Sequence, residues 1–217
     1  MADTSKTGFT RRGFLKGAGV AAASTVIDSA NALALEVKNS SHAPHAMGPA
    51  AFPIELQING HEHSVTVEPR YTLAATLRDN VGLTGTKVVC DRGSCSACTI
   101  WIDDVPSLAC MTLAIDAVGR KITTIEGLSN GDTMHPIQAA FVKHDAMQCG
   151  FCTPGMVMSC AALLKRNKNP DLNDVKHAVS GNLCRCGTYP KVFAATLEVA
   201  HGQNAKGLVT LNAGTEA

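Results

Sequence analysis

The sequence is poor in aromatic residues and has no excess of one charge. Phe, Tyr and Trp make up 4% of the 217 residues, and 19 Lys and Arg stand against 18 Asp and Glu, for a formal net charge of +1. A nucleic-acid-binding protein would be expected to show a basic excess or aromatic side chains that stack on bases. The composition therefore argues against a nucleic-acid partner, and it gives no electrostatic attraction to an acidic membrane surface.

Long apolar runs are also missing. The run from Gly17 to Ile27 is well short of the roughly 20 residues that a membrane-spanning helix needs, which argues against a stable membrane anchor. It follows the twin-arginine motif of residues 10–16, Thr-Arg-Arg-Gly-Phe-Leu-Lys, and precedes small residues at Ala32 and Ala34. We predict that residues 1–34 are a twin-arginine signal peptide, cleaved after Ala32 or Ala34, that exports the folded chain to the periplasm. The alternative is a chance Arg-Arg pair in a tail.

Two further absences concern ligand-binding segments. No G-x-G-x-x-G segment follows a strand and opens a helix, so the dinucleotide-binding fingerprint is lacking. Residues 35–52 contain Ser, His, Pro and Gly without apolar periodicity, and we interpret them as a linker. His42 and His45 lie in this linker without a third metal-ligating residue nearby, which favours solvated side chains over metal ligands.

Cysteine, by contrast, is abundant, with nine residues in the chain. Disulfides are the usual reason for many cysteines in an exported protein. An odd number and the crowded spacings of 90/95/98 and 184/186 favour metal centres instead.

The first cysteine set has the spacing C-x4-C-x2-C followed by one more distant cysteine. Its members are Cys90, Cys95, Cys98 and Cys110. This is the plant-type [2Fe-2S] pattern, in which one loop supplies three thiolates. The intervening residues are small, including Gly93 and Ala97, which lets a loop wrap tightly and aim backbone N–H groups at sulfur.

The second cysteine set consists of C-x2-C followed by C-x-C. Its members are Cys149, Cys152, Cys184 and Cys186. Each pair lies just before a predicted helix N-terminus, at Thr153-Pro154 and at Thr188-Tyr189-Pro190, where the helix dipole and free N–H groups favour thiolates. The ninth cysteine, Cys160, lies on an apolar helix face and is interpreted as core packing.

The residues around the two sets predict an α+β protein. Alternation on either side of Asn59-Gly60 predicts a β-hairpin, followed by a helix over 72–81 and strands over 99–102, 105–110 and 122–125. This order resembles the β-grasp fold of plant-type ferredoxins.

The second half of the chain has helical periodicity. Helices are predicted to begin near Pro136, Pro154, Asp171 and Pro190. We therefore predict a plant-type [2Fe-2S] ferredoxin domain over 53–127, a four-helix [2Fe-2S]-binding domain over 128–202 and a C-terminal tail over 203–217.

Together the two sets resemble the iron-sulfur portion of the molybdenum hydroxylase (xanthine oxidase) family. The resemblance rests on the first cysteine set, on Gln-Cys-Gly-Phe-Cys-Thr-Pro-Gly at 148–155 and on Asn-Leu-Cys-Arg-Cys-Gly at 182–187, and it covers residues 54–201. With the twin-arginine motif, the chain is most similar to the small subunits of periplasmic aldehyde oxidoreductase heterotrimers.

This resemblance implies an electron-transfer subunit that makes no bond in the substrate and has no catalytic residue. It implies that the second cluster lies beside molybdopterin cytosine dinucleotide, with Gln148 and Cys186 as pterin contacts, and that the first cluster lies toward FAD. The molybdenum-binding and FAD-binding domains are absent from this sequence, so a large molybdenum subunit and an FAD subunit are expected as partners. The implied reaction is oxidation of an aldehyde to a carboxylic acid.

Several alternative functions share parts of this sequence pattern. An N-heteroaromatic hydroxylase subunit would have a similar sequence, because the substrate is chosen in another subunit. A free-standing exported ferredoxin would need only the first set. A structural zinc protein is disfavoured by the C-x4-C-x2-C spacing, and Rieske-type ligation by the lack of a C-x-H pair.

Overall fold

A computed structural model describes residues 48–202. The predicted signal peptide, His42, His45 and the C-terminal tail lie outside the described residues. Within residues 48–202, no helix has the length and apolarity needed to cross a membrane.

The described part is a mixed α/β structure that begins with a β-hairpin. Strands β1 (Phe52–Ile58) and β2 (His61–Val67) pair antiparallel, with Ile58 opposite His61. Asn59 and Gly60 form the two-residue turn and both have positive φ, 53° and 82°, as a type I′ turn requires. Alternate residues of both strands face the core, which is the pattern that predicted this hairpin.

A short helical segment follows. Thr72 caps α1 (Leu73–Ala75), which continues as a π-helical turn over Thr76–Asn80. Gly82, with φ +82°, follows the turn. The apolar spacing predicted the helix but not its wider second turn.

Three short strands complete the sheet. They are β3 (Thr99–Ile102), β4 (Val105–Leu108) and β5 (Lys121–Thr123), and the strand order is β2-β1-β5-β3-β4. Strand β5 is parallel to β1 and antiparallel to β3. β4 ends at Leu108, and residues Ala109–Met111 form a 3₁₀ turn, so the prediction that Cys110 lies on a strand was wrong.

Four helices follow the sheet. They are α2 (Pro136–Lys143), α3 (Thr153–Arg166), α4 (Leu172–Ala178) and α5 (Tyr189–His201). Their starts match the sequence pattern to within one residue. Cys152, rather than Thr153, occupies the cap position of α3.

Two large apolar cores connect these elements, and a smaller cluster of Leu163, Val175 and Leu197 packs α4 against α3 and α5. One lies between the hairpin, α1 and the sheet, and the other among α2, α3 and α5. Trp101 of β3 belongs to the helical core, and its indole N–H donates to the Met158 carbonyl of α3 at 3.0 Å. This side chain therefore fixes α3 against the sheet.

Candidate metal centres

The loop that carries the first three cysteines lies between the π-helical turn and β3. Its path depends on left-handed backbone at Asp91, Gly93 and Ser96, with φ of 50°, 74° and 53°. The Ser94 N–H donates to Cys90 Sγ at 3.3 Å. A Cβ at Gly93 would lie 3.0 Å from Met111 Cγ, so glycine allows the loop to approach the turn that carries Cys110. The small residues thus serve the tight wrapping that the sequence predicts.

The fourth cysteine reaches this loop from the 3₁₀ turn. The Ala109 N–H donates to the Cys98 carbonyl at 3.2 Å, which holds the turn against the loop. The thiols of Cys98 and Cys110 contact each other, as do those of Cys90 and Cys95. The structure therefore brings the four predicted ligands together as two thiol pairs.

The two pairs differ electrostatically. The backbone N–H of Arg92, helped by the Cys95 thiol, lowers the pKa of Cys90 to about 7. Burial raises the pKa of Cys98 to about 12. A large fraction of Cys90 is therefore thiolate near neutral pH and can bind a cation directly. Cys98 stays protonated at that pH unless a bound cation stabilises its thiolate.

The second site forms at two loop-to-helix junctions. Gly150, with φ +82°, turns the loop between Cys149 and Cys152. Near the other junction, the Cys184 N–H donates to the Tyr189 hydroxyl at 2.9 Å, and that hydroxyl donates to the Asn182 carbonyl at 2.8 Å. The thiols pair again, Cys149 with Cys186 and Cys152 with Cys184.

Cys152 and Cys184 of the second site also differ in pKa. Burial raises the pKa of Cys152 to about 12. Burial alone would also raise the pKa of Cys184, but the Thr188 hydroxyl, 3.3 Å from its sulfur, and the Thr188 backbone outweigh that effect and bring the pKa to about 7. Thr188 and Tyr189 are functional neighbours that the sequence analysis treated only as helix-start residues.

The pairwise arrangement fits a two-iron cluster. In a [2Fe-2S] centre with four thiolates, each iron takes two of them. Two thiol pairs per set therefore match the two irons of such a centre.

Thiols of both sets line one cavity of about 590 Å³. These are Cys90 and Cys95 of the first set and Cys149, Cys152 and Cys184 of the second. The Leu183 N–H donates directly to the Cys95 carbonyl at 3.1 Å. One backbone hydrogen bond thus joins a residue beside the second site to a residue of the first.

Asn182, the first residue of the motif at 182–187, strengthens this junction, a role that the motif itself does not reveal. It is 3% exposed, and its amide donates to the Ser96 carbonyl at 3.1 Å and accepts from the Ser159 hydroxyl at 3.0 Å. Gly155 also lies against Ser96, because a Cβ at Gly155 would stand 2.3 Å from the Ser96 oxygen. An isolated sequence offers no signal for these long-range contacts.

The two residues expected to contact a pterin lie together. Gln148 and Cys186 line a cavity of about 480 Å³, with Asp145, Thr188 and Lys191 among the other residues around it. The Lys191 ammonium and the Asp145 carboxylate form an ion pair at this cavity.

Cys160 belongs to neither set. It is fully buried in the helical core, and burial raises the pKa of its thiol to about 12. The structure thus places Cys160 among apolar side chains.

Comparison with protein families gives the nature of both sites. Residues 56–114 match the 2Fe-2S iron-sulfur cluster binding domain, and residues 124–197 match the [2Fe-2S] binding domain. Each matched segment contains one complete cysteine set, and the chain therefore carries two [2Fe-2S] clusters.

Individual relatives extend the match over nearly the whole chain. The aldehyde oxidoreductase iron-sulfur-binding subunit PaoA of Escherichia coli (strain K12) is 39% identical over 206 residues, which cover 88% of each chain. The nicotine 6-hydroxylase small subunit of Paenarthrobacter nicotinovorans is 46% identical over 150 residues, 69% of this chain and 90% of that one.

Solved structures give the same result. A chain of quinoline 2-oxidoreductase from Pseudomonas putida 86 superposes with a TM-score of 0.68 and 43% identity, over 72% of this chain and 97% of that one. PaoA is an iron-sulfur-binding subunit, the nicotine 6-hydroxylase chain is a small subunit, and the solved structure is that of an oxidoreductase. The chain belongs to the [2Fe-2S] electron-transfer subunits of the molybdenum hydroxylase family.

Proposed function

We propose that the chain is the iron-sulfur subunit of a periplasmic aldehyde oxidoreductase and carries electrons from a molybdenum subunit to an FAD subunit in a heterotrimer. The observation that carries the proposal is the shared cavity, since thiols of both cysteine sets line it and the Leu183–Cys95 hydrogen bond joins the two loops. Two centres held this close suit electron transfer within one chain. The aldehyde substrate is favoured by the 88% coverage of PaoA in both directions.

The proposed domain organisation follows the order of the elements. A β-grasp ferredoxin domain holds the first cluster, and a four-helix domain holds the second. The ligands would be the first cysteine set, Cys90, Cys95, Cys98 and Cys110, and the second, Cys149, Cys152, Cys184 and Cys186. The thiol pairs and the positions of their loops support this assignment.

The cavity lined by Gln148 and Cys186 supports the proposed direction of electron transfer, from the molybdenum cofactor to the second cluster and then to the first. A pterin of molybdopterin cytosine dinucleotide would lie there, in contact with both side chains. When bound in the partner subunit, the molybdenum cofactor supplies the two electrons removed from the aldehyde as it becomes a carboxylic acid. Gln148 would hydrogen-bond the pterin, and Cys186 would link it to the second cluster.

The chain's own residues would then set the behaviour of the clusters. Backbone N–H groups, such as that of Ser94 at Cys90 Sγ, stabilise negative charge on sulfur. Burial of Cys95, Cys98 and Cys110 excludes water from one side of the first cluster. Each cluster takes one electron at a time, so two clusters in series suit a donor and an acceptor that each exchange two.

A second candidate is the iron-sulfur subunit of an N-heteroaromatic hydroxylase. It is favoured by the 46% identity with the nicotine 6-hydroxylase small subunit, which is higher than that with PaoA although it covers less of this chain. The two candidates share every role of this chain and differ only in the substrate bound by the partner.

The proposal is tested on the complex purified from the periplasmic fraction of the native host. Under the proposal it contains molybdenum, FAD and about four iron per iron-sulfur chain, and aldehydes but not N-heteroaromatic compounds reduce both clusters before FAD in stopped-flow traces. Reduction by heteroaromatic compounds alone would favour the second candidate. A lone chain without molybdenum or flavin would refute both.

A further inference from the structure

A second large cavity lies on the molecule away from the cysteines. It measures about 770 Å³ and is bounded by the sheet and by the final turns of α3 and α5. We call it the lysine groove and define it by Trp101, Lys121, Leu164, Lys165, Lys168 and Val199. Leu164 and Val199 give it an apolar wall, and Trp101 is the single tryptophan of the chain.

The groove is cationic. Three lysines line it against one carboxylate, Asp104, which pairs with Lys165 at 2.7 Å. Lys165 also lies over the Trp101 ring, 5.5 Å from its centroid. Lys121 lies close enough to Asp104 to help lower the pKa of that carboxyl. In the part of the chain that the structure describes, neither Lys121 nor Lys168 forms a direct ion pair, so three lysines against one carboxylate leave the groove with a net positive charge.

The groove is separate from both cysteine sets. Helix α3 begins directly after Cys152 and lines the groove with residues of its second half, from Ala161 to Lys165. Its 14 residues span about 20 Å at 1.5 Å per residue. Helix α5 likewise begins shortly after Cys186 and reaches the groove at Val199. A molecule bound in the groove therefore leaves the cluster surfaces free.

We propose that the lysine groove binds an acidic, partly apolar peptide segment of a partner subunit. Carboxylates of that segment pair with Lys121 and Lys168, and an apolar side chain lies against Leu164 and Val199. The apolar wall gives an inorganic anion nothing to bind, whereas a peptide uses both surfaces. The groove thereby holds the partner about one helix length from the second cysteine set.

Charge reversal tests the groove in the assembled complex. Lys121→Glu/Lys168→Glu should lower the amount of partner subunit that co-purifies with the chain by about tenfold at physiological salt, because like charges then meet in the groove. The matched control is Arg166→Glu/Lys176→Glu, which makes the same charge change on exposed residues that do not line the groove. This control should stay within about twofold of the wild type. Equal loss in both variants, or no loss in either, overturns the proposal.

Zero-length carbodiimide cross-linking of the wild-type complex identifies the occupant without any mutation. The expected product is an amide between Lys121 or Lys168 and an Asp or Glu of a partner subunit, found by peptide mass spectrometry. A link to Glu216 of the same chain would mean that the C-terminal segment fills the groove, and absence of any link from either lysine would mean that no acidic segment lies there. Both results overturn the proposal. EPR of the two clusters reports on the electron-transfer role separately and should be unchanged in the charge-reversal variant.

Discussion

At the scale of single residues, each cysteine set contains at least one thiol whose pKa is lowered and at least one whose pKa is raised. In the first set, the Arg92 N–H favours the thiolate of Cys90, while Cys98 lies in the core, where burial opposes ionisation. A cluster bound to both residues takes one ligand, Cys90, whose thiol ionises readily, and another, Cys98, whose ionisation is opposed by burial. Binding of iron to the inner thiol must therefore release a proton that the free thiol holds tightly.

This difference predicts the alkylation rates of the protein after its clusters have been removed with a chelator. A thiol with pKa of about 7 should react with iodoacetamide about tenfold faster at about pH 8 than at about pH 6, whereas an ordinary thiol should accelerate about a hundredfold. We expect the weaker dependence at Cys90 and almost no reaction at Cys98 or Cys160. Mass spectrometry of tryptic peptides measures each rate. The same pH dependence at all nine cysteines would contradict the prediction.

A ligand substitution separates the second cluster from the ninth cysteine. Cys186→Ser should lower iron from about four to about two per chain and remove one of two S = 1/2 signals after dithionite reduction, because one of the four proposed thiolates is lost. Cys160→Ala is the control, since Cys160 lies in the helical core outside both sets. It should keep both signals and lower stability by only about 1 kcal/mol. Loss of a signal in Cys160→Ala would show that the ligands are misassigned.

At the scale of elements, the start of α3 packs on the first cysteine loop. Gly155 in the first turn of α3 stands so close to Ser96 that a Cβ would lie 2.3 Å from its carbonyl oxygen. Ser96 has φ of 53° and also accepts from the Asn182 amide. Gly155 and Asn182, which lie near the second cysteine set, thus both contact the Ser96 carbonyl in the loop of the first set. The backbone of that loop therefore sets the distance between the two sets.

Gly155→Ala should therefore lower the free energy of unfolding by about 1–3 kcal/mol, the usual cost of overpacking a close contact. Gly48→Ala is the control, because nothing lies within 4 Å of a Cβ built there. Urea unfolding of the cluster-loaded chain, followed by circular dichroism and by visible absorption, measures both variants. An unchanged midpoint in Gly155→Ala would mean that Ser96 moves aside without cost.

Sequence patterns sufficed for elements that depend on nearby residues. Alternation around Asn59-Gly60 predicted the hairpin, and proline near each helix start predicted α2, α3 and α5. Cys110 was predicted to end a strand over 105–110, but the pairing of β4 with β3 ends at Leu108. The contacts of Ser96 with Asn182 and Gly155 join residues far apart in the chain, and no local pattern encodes them.

At the scale of the whole molecule, the two cores are fastened together near the cysteines and again at Trp101. The Leu183–Cys95 hydrogen bond holds one junction, and the Trp101–Met158 hydrogen bond holds the other. Spacing in the sequence predicted both cysteine sets but not their shared cavity. The cavity depends on how the cores pack, which spacing alone does not specify.

A chain that folds around two clusters before export must be transported in the folded state. Iron and sulfide would be inserted in the cytoplasm, so the chain would have to cross the membrane folded, and we predict that the twin-arginine motif of residues 10–16 directs such export. Arg11→Lys/Arg12→Lys should therefore keep the chain in the cytoplasm with both EPR signals intact. Cell fractionation with immunoblotting measures its location, and Lys16→Gln, which removes a cation outside the arginine pair, should still be exported. Export of the double variant would contradict the prediction, because the arginine pair would then be dispensable. A cytoplasmic chain without its clusters would also contradict it, because cluster insertion would then follow transport.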